Sequence, residues 1–286
     1  MPRCDLRPIL EAAARDHFIV GSFNVFNLET ARAVLAAAER ADAPVVLAVA
    51  ESQLRFTDFE ALSRALVTLA GRARVPVAIH LDHAQTLDVV TNSIRYGFTS
   101  VMFDGYGLNP AEKARQTRSV VDLAHSVGIC VEAELGHITK SGVDAAKRDE
   151  LLVDPASAAD FVRETGVDTI AAAVGTVHGL APGEAQVDFA RLEAIRAAVP
   201  CFISMHGGSG LKPADLQRAA ELGITKISYF TGLSKAAVKA VSERTATEPE
   251  PRLTELLAVA QSAIEERVFE RITAFGTVGR ALAVGS

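Results

Sequence analysis

The sequence predicts an α/β protein of one domain, a closed (β/α)8 barrel of the TIM type spanning residues 1–286. Three observations carry that reading. Eight short, nearly continuous apolar runs alternate with eight amphipathic stretches between about residues 18 and 246, as strands covered on both faces alternate with their covering helices. Glycines 97, 128, 166 and 223 fall where helices need a left-handed C-terminal residue. The turn after the first strand reads NVFNLE and lacks the glycines of a nucleotide-binding open sheet.

The predicted strands are Phe18–Val25, Val45–Ala50, Val75–Leu81, Ser100–Asp104, Cys130–Leu135, Thr169–Val174, Cys201–His206 and Ile224–Phe230. The helices between and after them are Leu28–Arg40, Phe59–Ala70, Leu87–Arg95, Ala111–Ser126, Ala156–Glu164, Phe189–Ala198, Pro213–Leu222 and Leu233–Arg244. Asp58, Asn109 and Asp154 are placed to cap three of them. Asp5–His17 reads as a helix plugging the base of the barrel. Arg252–Phe275, set off by TEPEP at 247–251, reads as one or two added C-terminal helices. The longest interruption, 136–154, is a polar loop after the fifth strand and would overhang the active face.

A chain of 286 residues with 49% hydrophobic residues buries a large core. Its net charge is −6 with both signs interspersed, so neither nucleic acid nor an anionic membrane is indicated as a partner. No apolar run approaches the roughly 20 residues that span a bilayer. Asp5, Glu11 and Asp16 interrupt the N-terminal stretch, against a signal peptide, and a cytoplasmic location follows by default. Three widely spaced cysteines, Cys4, Cys130 and Cys201, read as reduced buried thiols, which leaves any metal to histidine and carboxylate.

Barrel enzymes carry their reactive groups at the carboxyl ends of the strands. Here those ends hold Asn24, Asp82 with His83, Asp104, Glu134, His178, His206, and Ser228 to Thr231. Alone, each histidine is as readily a packed or capping residue. Three imidazoles from three strand ends together describe a catalytic zinc site with an open position. The carboxylates Asp82, Asp104 and Glu134 are placed for acid–base and supporting work. His80, three residues before His83, reads either as support for the site or as a packed core residue. Glycine-rich GTVHG at 175–179 and HGGSG at 206–210, with Thr231 and Gly232 opening the eighth helix, are suited to a phosphate, although a GGSG run alone is commonly a simple turn.

Six motifs in order, FNVFNLET at 23–30, HLDHA at 80–84, SVMFDG at 100–105, VEAELG at 131–136, GTVHG and HGGSG, give the chain a resemblance to the class II fructose-bisphosphate and tagatose-bisphosphate aldolases over nearly its whole length. The resemblance implies that His83, His178 and His206 bind a catalytic zinc ion, with Asp104 and Glu134 near secondary metal positions. It implies that Asp82 exchanges the C4 hydroxyl proton while zinc stabilises the enediolate formed as the C3–C4 bond of a phosphorylated ketose breaks. Asn24, Gly179, Gly207, Gly208, Ser209, Ser228 and Thr231 would bind substrate and phosphate, beside a monovalent cation, Na+ or K+. Arg280 resembles an arginine that some relatives contribute across a dimer, and a homodimer or homotetramer is implied.

Three departures bear on specificity. Relatives commonly read N-x-[DA]-T-[DE] after the eighth strand where this chain has Ser228, Tyr229, Phe230, Thr231 and Gly232. Ala50 stands where they tend to carry Ser or Thr. The loop after Glu134 has no glutamate in register for the C3 proton, leaving His137, Asp144, Asp149 or Glu150 as substitutes. Two other classes share parts of this pattern: a non-catalytic assembly subunit that keeps the fold, and a zinc hydrolase. The hydrolase is disfavoured because no His-x-His pair ends the first strand.

Overall fold

The computed structural model describes residues 3–136, 152–175 and 187–284. Its strands are β1 Val20–Asn24, β2 Val45–Ala50, β3 Val77–Ala84, β4 Ser100–Phe103, β5 Cys130–Leu135, β6 Thr169–Ala172, β7 Phe202–Met205 and β8 Ile224–Tyr229. All are parallel and pair in chain order, and β8 pairs back to β1 with Phe23 opposite Tyr229, which closes the barrel. The predicted (β/α)8 architecture is therefore the observed one.

The helices are α1 Leu6–Asp16, α2 Leu28–Arg40, α3 Phe59–Arg72, α4 Leu87–Arg95, α5 Pro110–His125, α6 Pro155–Thr165, α7 Phe189–Ala198, α8 Pro213–Glu221, α9 Thr231–Thr247 and α10 Leu253–Ala274. Asp58, Asn109 and Asp154 each accept a backbone N–H from three residues on, satisfying donors that a helix start leaves orphaned. Gly97, Gly128, Gly166 and Gly223 all have positive φ. Between residues 252 and 275 there is one helix rather than two, and at its start the Glu255 carboxylate accepts from the Arg252 backbone N–H at 3.2 Å. That helix, α10, packs across α2 and α9.

Hydrophobic burial fixes the two ends. The plug α1 buries Leu6, Ile9 and Leu10 completely against Val20, Val46, Ala78 and Cys130 at the amino ends of the strands. Above that layer the barrel interior turns polar: Ser22, His80, Ser100, Glu132, Ser204 and Lys226 are all buried. Filling a barrel with ionisable groups requires internal pairing, because an unpaired buried charge costs several kcal/mol. Lys226 Nζ donates to Glu132 Oε2 at 2.8 Å, and Ser204 Oγ donates to Glu132 Oε1 at 2.7 Å. The three cysteines are free, Cys130 buried and the other two half-buried. Among the described residues no helix is long and apolar enough to cross a membrane.

Candidate metal centre and active site

The site begins with an irregularity in β3. The strand starts at Val77 because Pro76 has no N–H to pair, and it runs three residues past Leu81. Neighbouring residues of a regular strand point to opposite faces. The pairing of β3 with β4 slips between Leu81 and Ala84, and His83 sits in the left-handed region at φ 53°. Asp82 and His83 consequently both face the same cleft. A non-glycine residue held there carries strain, which clusters at functional sites.

Around that turn the charged groups converge. His83 Nε2 lies 3.1 Å from His206 Nδ1, and the other ring nitrogen, His83 Nδ1, lies 3.0 Å from Asp104 Oδ2 and 3.5 Å from Glu134 Oε2. Asp82 Oδ2 accepts from Asn24 Nδ2 at 2.8 Å. Its other oxygen, Oδ1, is 3.9 Å from His83 Nε2 and, like Glu134 Oε2, is buried with no hydrogen-bond partner among the described residues. Among the described residues, two sets of ligand atoms are compact enough for one ion: Asp82, His83 and His206, and His83, Asp104 and Glu134.

The electrostatics favour a cation. Burial would lower His83, but the Asp82 charge, the Asp104 hydrogen bond and Glu134 raise it to about 9. Burial would raise Asp82, yet His83, His206 and His80 hold it well below the usual carboxylate range, so it is ionised at neutral pH. Burial dominates for Glu134, which is raised. His80 is driven down to about 3, by burial first and then by Lys226, and stays neutral with Nδ1 2.8 Å from Ser100 Oγ.

The cleft above this cluster is lined by Asn24, Ala50, Asp82, His83, His206, Gly207, Ser228, Phe230 and Thr231, with Ser52 and Gln53 at its rim. Gly207 turns with φ 75°. Gly208 packs so closely that a Cβ there would lie 2.4 Å from Ile227 Cγ2. Thr231 opens α9, whose start has no side-chain cap. Exposed helix N–H groups beside a glycine turn suit an anion. Phe230 meets Phe26 edge-on at a centroid distance of 6.5 Å.

The structure thus brings together Asn24, Asp82, His83, Asp104, Glu134, His206, Gly207, Ser228 and Thr231, with Gly208 in the adjoining turn. His178 and Gly179, the loop candidates His137, Asp144, Asp149 and Glu150, and the Ser209 side chain lie outside the described residues. Arg280 does not reach the cleft of its own chain. It lies at the base of the barrel beside Phe18, its guanidinium 5.9 Å from that ring. Sequence reasoning missed Glu132, one layer beneath the strand ends, although the alternation in VEAEL puts it on the same inward face as Glu134.

Comparison with known proteins places the whole chain in a family. The family model "Fructose-bisphosphate aldolase class-II" matches residues 4–280. The chain belongs to the class II fructose-bisphosphate aldolase family. It is 38% identical over 301 residues to a fructose-bisphosphate aldolase of Thermus caldophilus, covering 96% of this chain and 98% of that one. It is 37% identical over 278 residues to the protein YdjI of Escherichia coli K12, covering 97% and 99%. The crystal structure of the YdjI aldolase superposes with a TM-score of 0.86 at 34% identity, over 97% of this chain and 99% of that one. Class II aldolases are zinc-dependent and cleave ketose phosphates, and this chain is an aldolase of that class.

Proposed function

We propose that the chain cleaves and forms the C3–C4 bond of a ketose 1-phosphate or 1,6-bisphosphate, releasing dihydroxyacetone phosphate and an aldehyde, with Asp82 as the acid–base group. One observation carries the reading: His83 Nε2 faces His206 Nδ1 at 3.1 Å beside the buried Asp82 Oδ1, which has no hydrogen-bond partner among the described residues. Two imidazole nitrogens bound to one tetrahedral zinc ion lie about 3.4 Å apart. The residues fit such an ion, which His83, His206 and, by family resemblance, His178 would hold, with Asp104 and Glu134 as secondary positions. When bound, zinc supplies Lewis-acid polarisation of the substrate carbonyl.

The chain's own groups do the rest. Asn24 fixes one oxygen of Asp82 and leaves the other directed into the cleft. In cleavage, that carboxylate takes the C4 hydroxyl proton. The C4 oxygen then forms the aldehyde carbonyl, the C3–C4 electron pair stays with the three-carbon half, and a proton delivered to its C3 completes dihydroxyacetone phosphate. Gly207, Gly208 and the start of α9 at Thr231 cradle the phosphate, with Ser228 beside it and a sodium or potassium ion at the same cradle. The edge-on Phe26–Phe230 pair replaces polar contacts with an apolar wall, which favours a substrate with fewer hydroxyl groups on that side. A dimer or tetramer would let a partner's Arg280 complete the cleft.

The test is a retro-aldol assay on fructose- and tagatose-1,6-bisphosphates and the corresponding 1-phosphates, read as dihydroxyacetone phosphate release. Turnover of at least one supports the proposal and ranks the sugars. Zinc-loaded protein that releases nothing from any of them contradicts it.

A further inference from the structure

One buried charge among the described residues lies outside the proposed reaction. Glu132 is fully enclosed in the barrel, and both of its oxygens already have a donor: Lys226 Nζ on Oε2 at 2.8 Å and Ser204 Oγ on Oε1 at 2.7 Å. A carboxylate has about four lone-pair positions, so Oε1 keeps capacity for a second donor. What faces it is His206 Nε2, at 3.5 Å. The opposite nitrogen of that ring, Nδ1, is the one directed at His83 Nε2.

We propose that Glu132 is a positioning residue for the metal centre: its carboxylate holds the His206 proton on Nε2 and so leaves the Nδ1 lone pair facing the metal position. This rests on the metal-binding reading of His206 given above. The other neutral tautomer would aim the Nε2 lone pair at an anion and put a proton where a metal needs electrons, and both effects are unfavourable. Metal-bound histidines commonly have their second nitrogen fixed by a carboxylate in this way. Lys226 supplies the counter-charge that keeps Glu132 ionised in the barrel interior.

The pair of donors makes a specific prediction. In Glu132→Gln the buried Lys226 ammonium still needs an acceptor, so the introduced amide turns its oxygen to Lys226 and its NH2 group to His206 Nε2. That donor moves the ring proton to Nδ1, a change of tautomer at nearly constant shape. In Glu132→Gln/Lys226→Met the demand of the lysine is gone, the amide is free to turn over, and its oxygen can again accept from Nε2.

The experiment measures zinc affinity by competition with a chromophoric chelator for the wild type, Glu132→Gln, the double variant and His206→Ala, with folding checked by circular dichroism. The expected result is a 10- to 100-fold loss in Glu132→Gln, as for other outer carboxylates of metal sites, and recovery of at least threefold in the double variant. Zinc affinity in a folded Glu132→Gln within threefold of wild type, while His206→Ala has lost it, overturns the role of Glu132 alone. Unchanged affinity in His206→Ala overturns the metal-site reading instead. Nitrogen-15 spectra of the zinc-loaded wild type give a test independent of any variant: a His206 proton on Nε2 is expected, and one on Nδ1 overturns the proposal.

Discussion

Replacing Asp82 by asparagine changes the charge of one group and almost nothing else. The introduced amide oxygen still accepts from Asn24 Nδ2, now at 2.8 Å from Asp82 Oδ2, and the NH2 group takes the place of Oδ1, the buried oxygen with no partner among the described residues. An acceptor in the cleft becomes a donor that cannot take a proton. General-base catalysis of this kind contributes about 10²- to 10⁴-fold, or about 2.7–5.4 kcal/mol of barrel-site barrier lowering at 1.36 kcal/mol per decade. The predicted outcome for Asp82→Asn is a kcat lower by that factor with KM within a few-fold, because the proposed phosphate contacts, at Gly207 and Thr231 of the same cleft, do not use the Asp82 carboxylate. The assay is steady-state retro-aldol turnover with zinc content measured on the same sample. A fall of less than threefold with zinc content unchanged refutes the acid–base role. A fall that excess zinc fully reverses assigns Asp82 to the metal instead, as the compact Asp82, His83 and His206 set permits.

Other perturbations test other parts of the account. Gly208→Ala forces a Cβ to within 2.4 Å of Ile227 Cγ2, so the turn must shift; a stability loss of about 1–3 kcal/mol and a rise in KM for phosphorylated substrate are expected in denaturant melts and steady-state kinetics. Asp168, at the amino ends of the strands, accepts from Val131 N at 2.7 Å and pairs with His125 Nε2 at 2.8 Å and with Arg7. Asp168→Ala should cost about 1–3 kcal/mol by orphaning a buried N–H while leaving kcat unchanged, since the site is at the other end. Burial pushes the Cys4 and Cys201 thiols up to about 11 from 9.0. Because the folded state favours the neutral thiol, that contribution to stability is intact below pH 9 and lost as pH rises towards 11. Iodoacetamide should therefore label these thiols about 100-fold more slowly in the native protein than in urea at pH 7.5, and equal rates would contradict the burial.

The barrel was legible because its signal is repeated. Each apolar run is covered on both faces, so strand periodicity and strand burial say the same thing eight times, and the boundaries of β2, β5, α2, α4 and α7 coincide with the sequence reading. Strand ends that depend on pairing were less so: Phe18, Ile19 and Val25 at the first strand, and Val75 at the third, are apolar and buried without belonging to the sheet. The ligands on strand ends were visible as residue types in register. The turn at His83 was not, because a left-handed histidine is imposed by the slipped register between β3 and β4, a tertiary effect with no local signature. Glu132 and Lys226 escaped for another reason. They lie one layer below the rim, 94 residues apart, and their partnership exists only once the barrel closes.

Aldol cleavage in this cleft depends, on the proposed reading, on a metal held by histidines at the strand ends. The most direct measurement is elemental analysis combined with dihydroxyacetone phosphate release before chelation, after chelation and after zinc is returned. The account predicts about one zinc ion per chain, loss of turnover on its removal and recovery on its return. Full turnover in protein stripped of metal would contradict it.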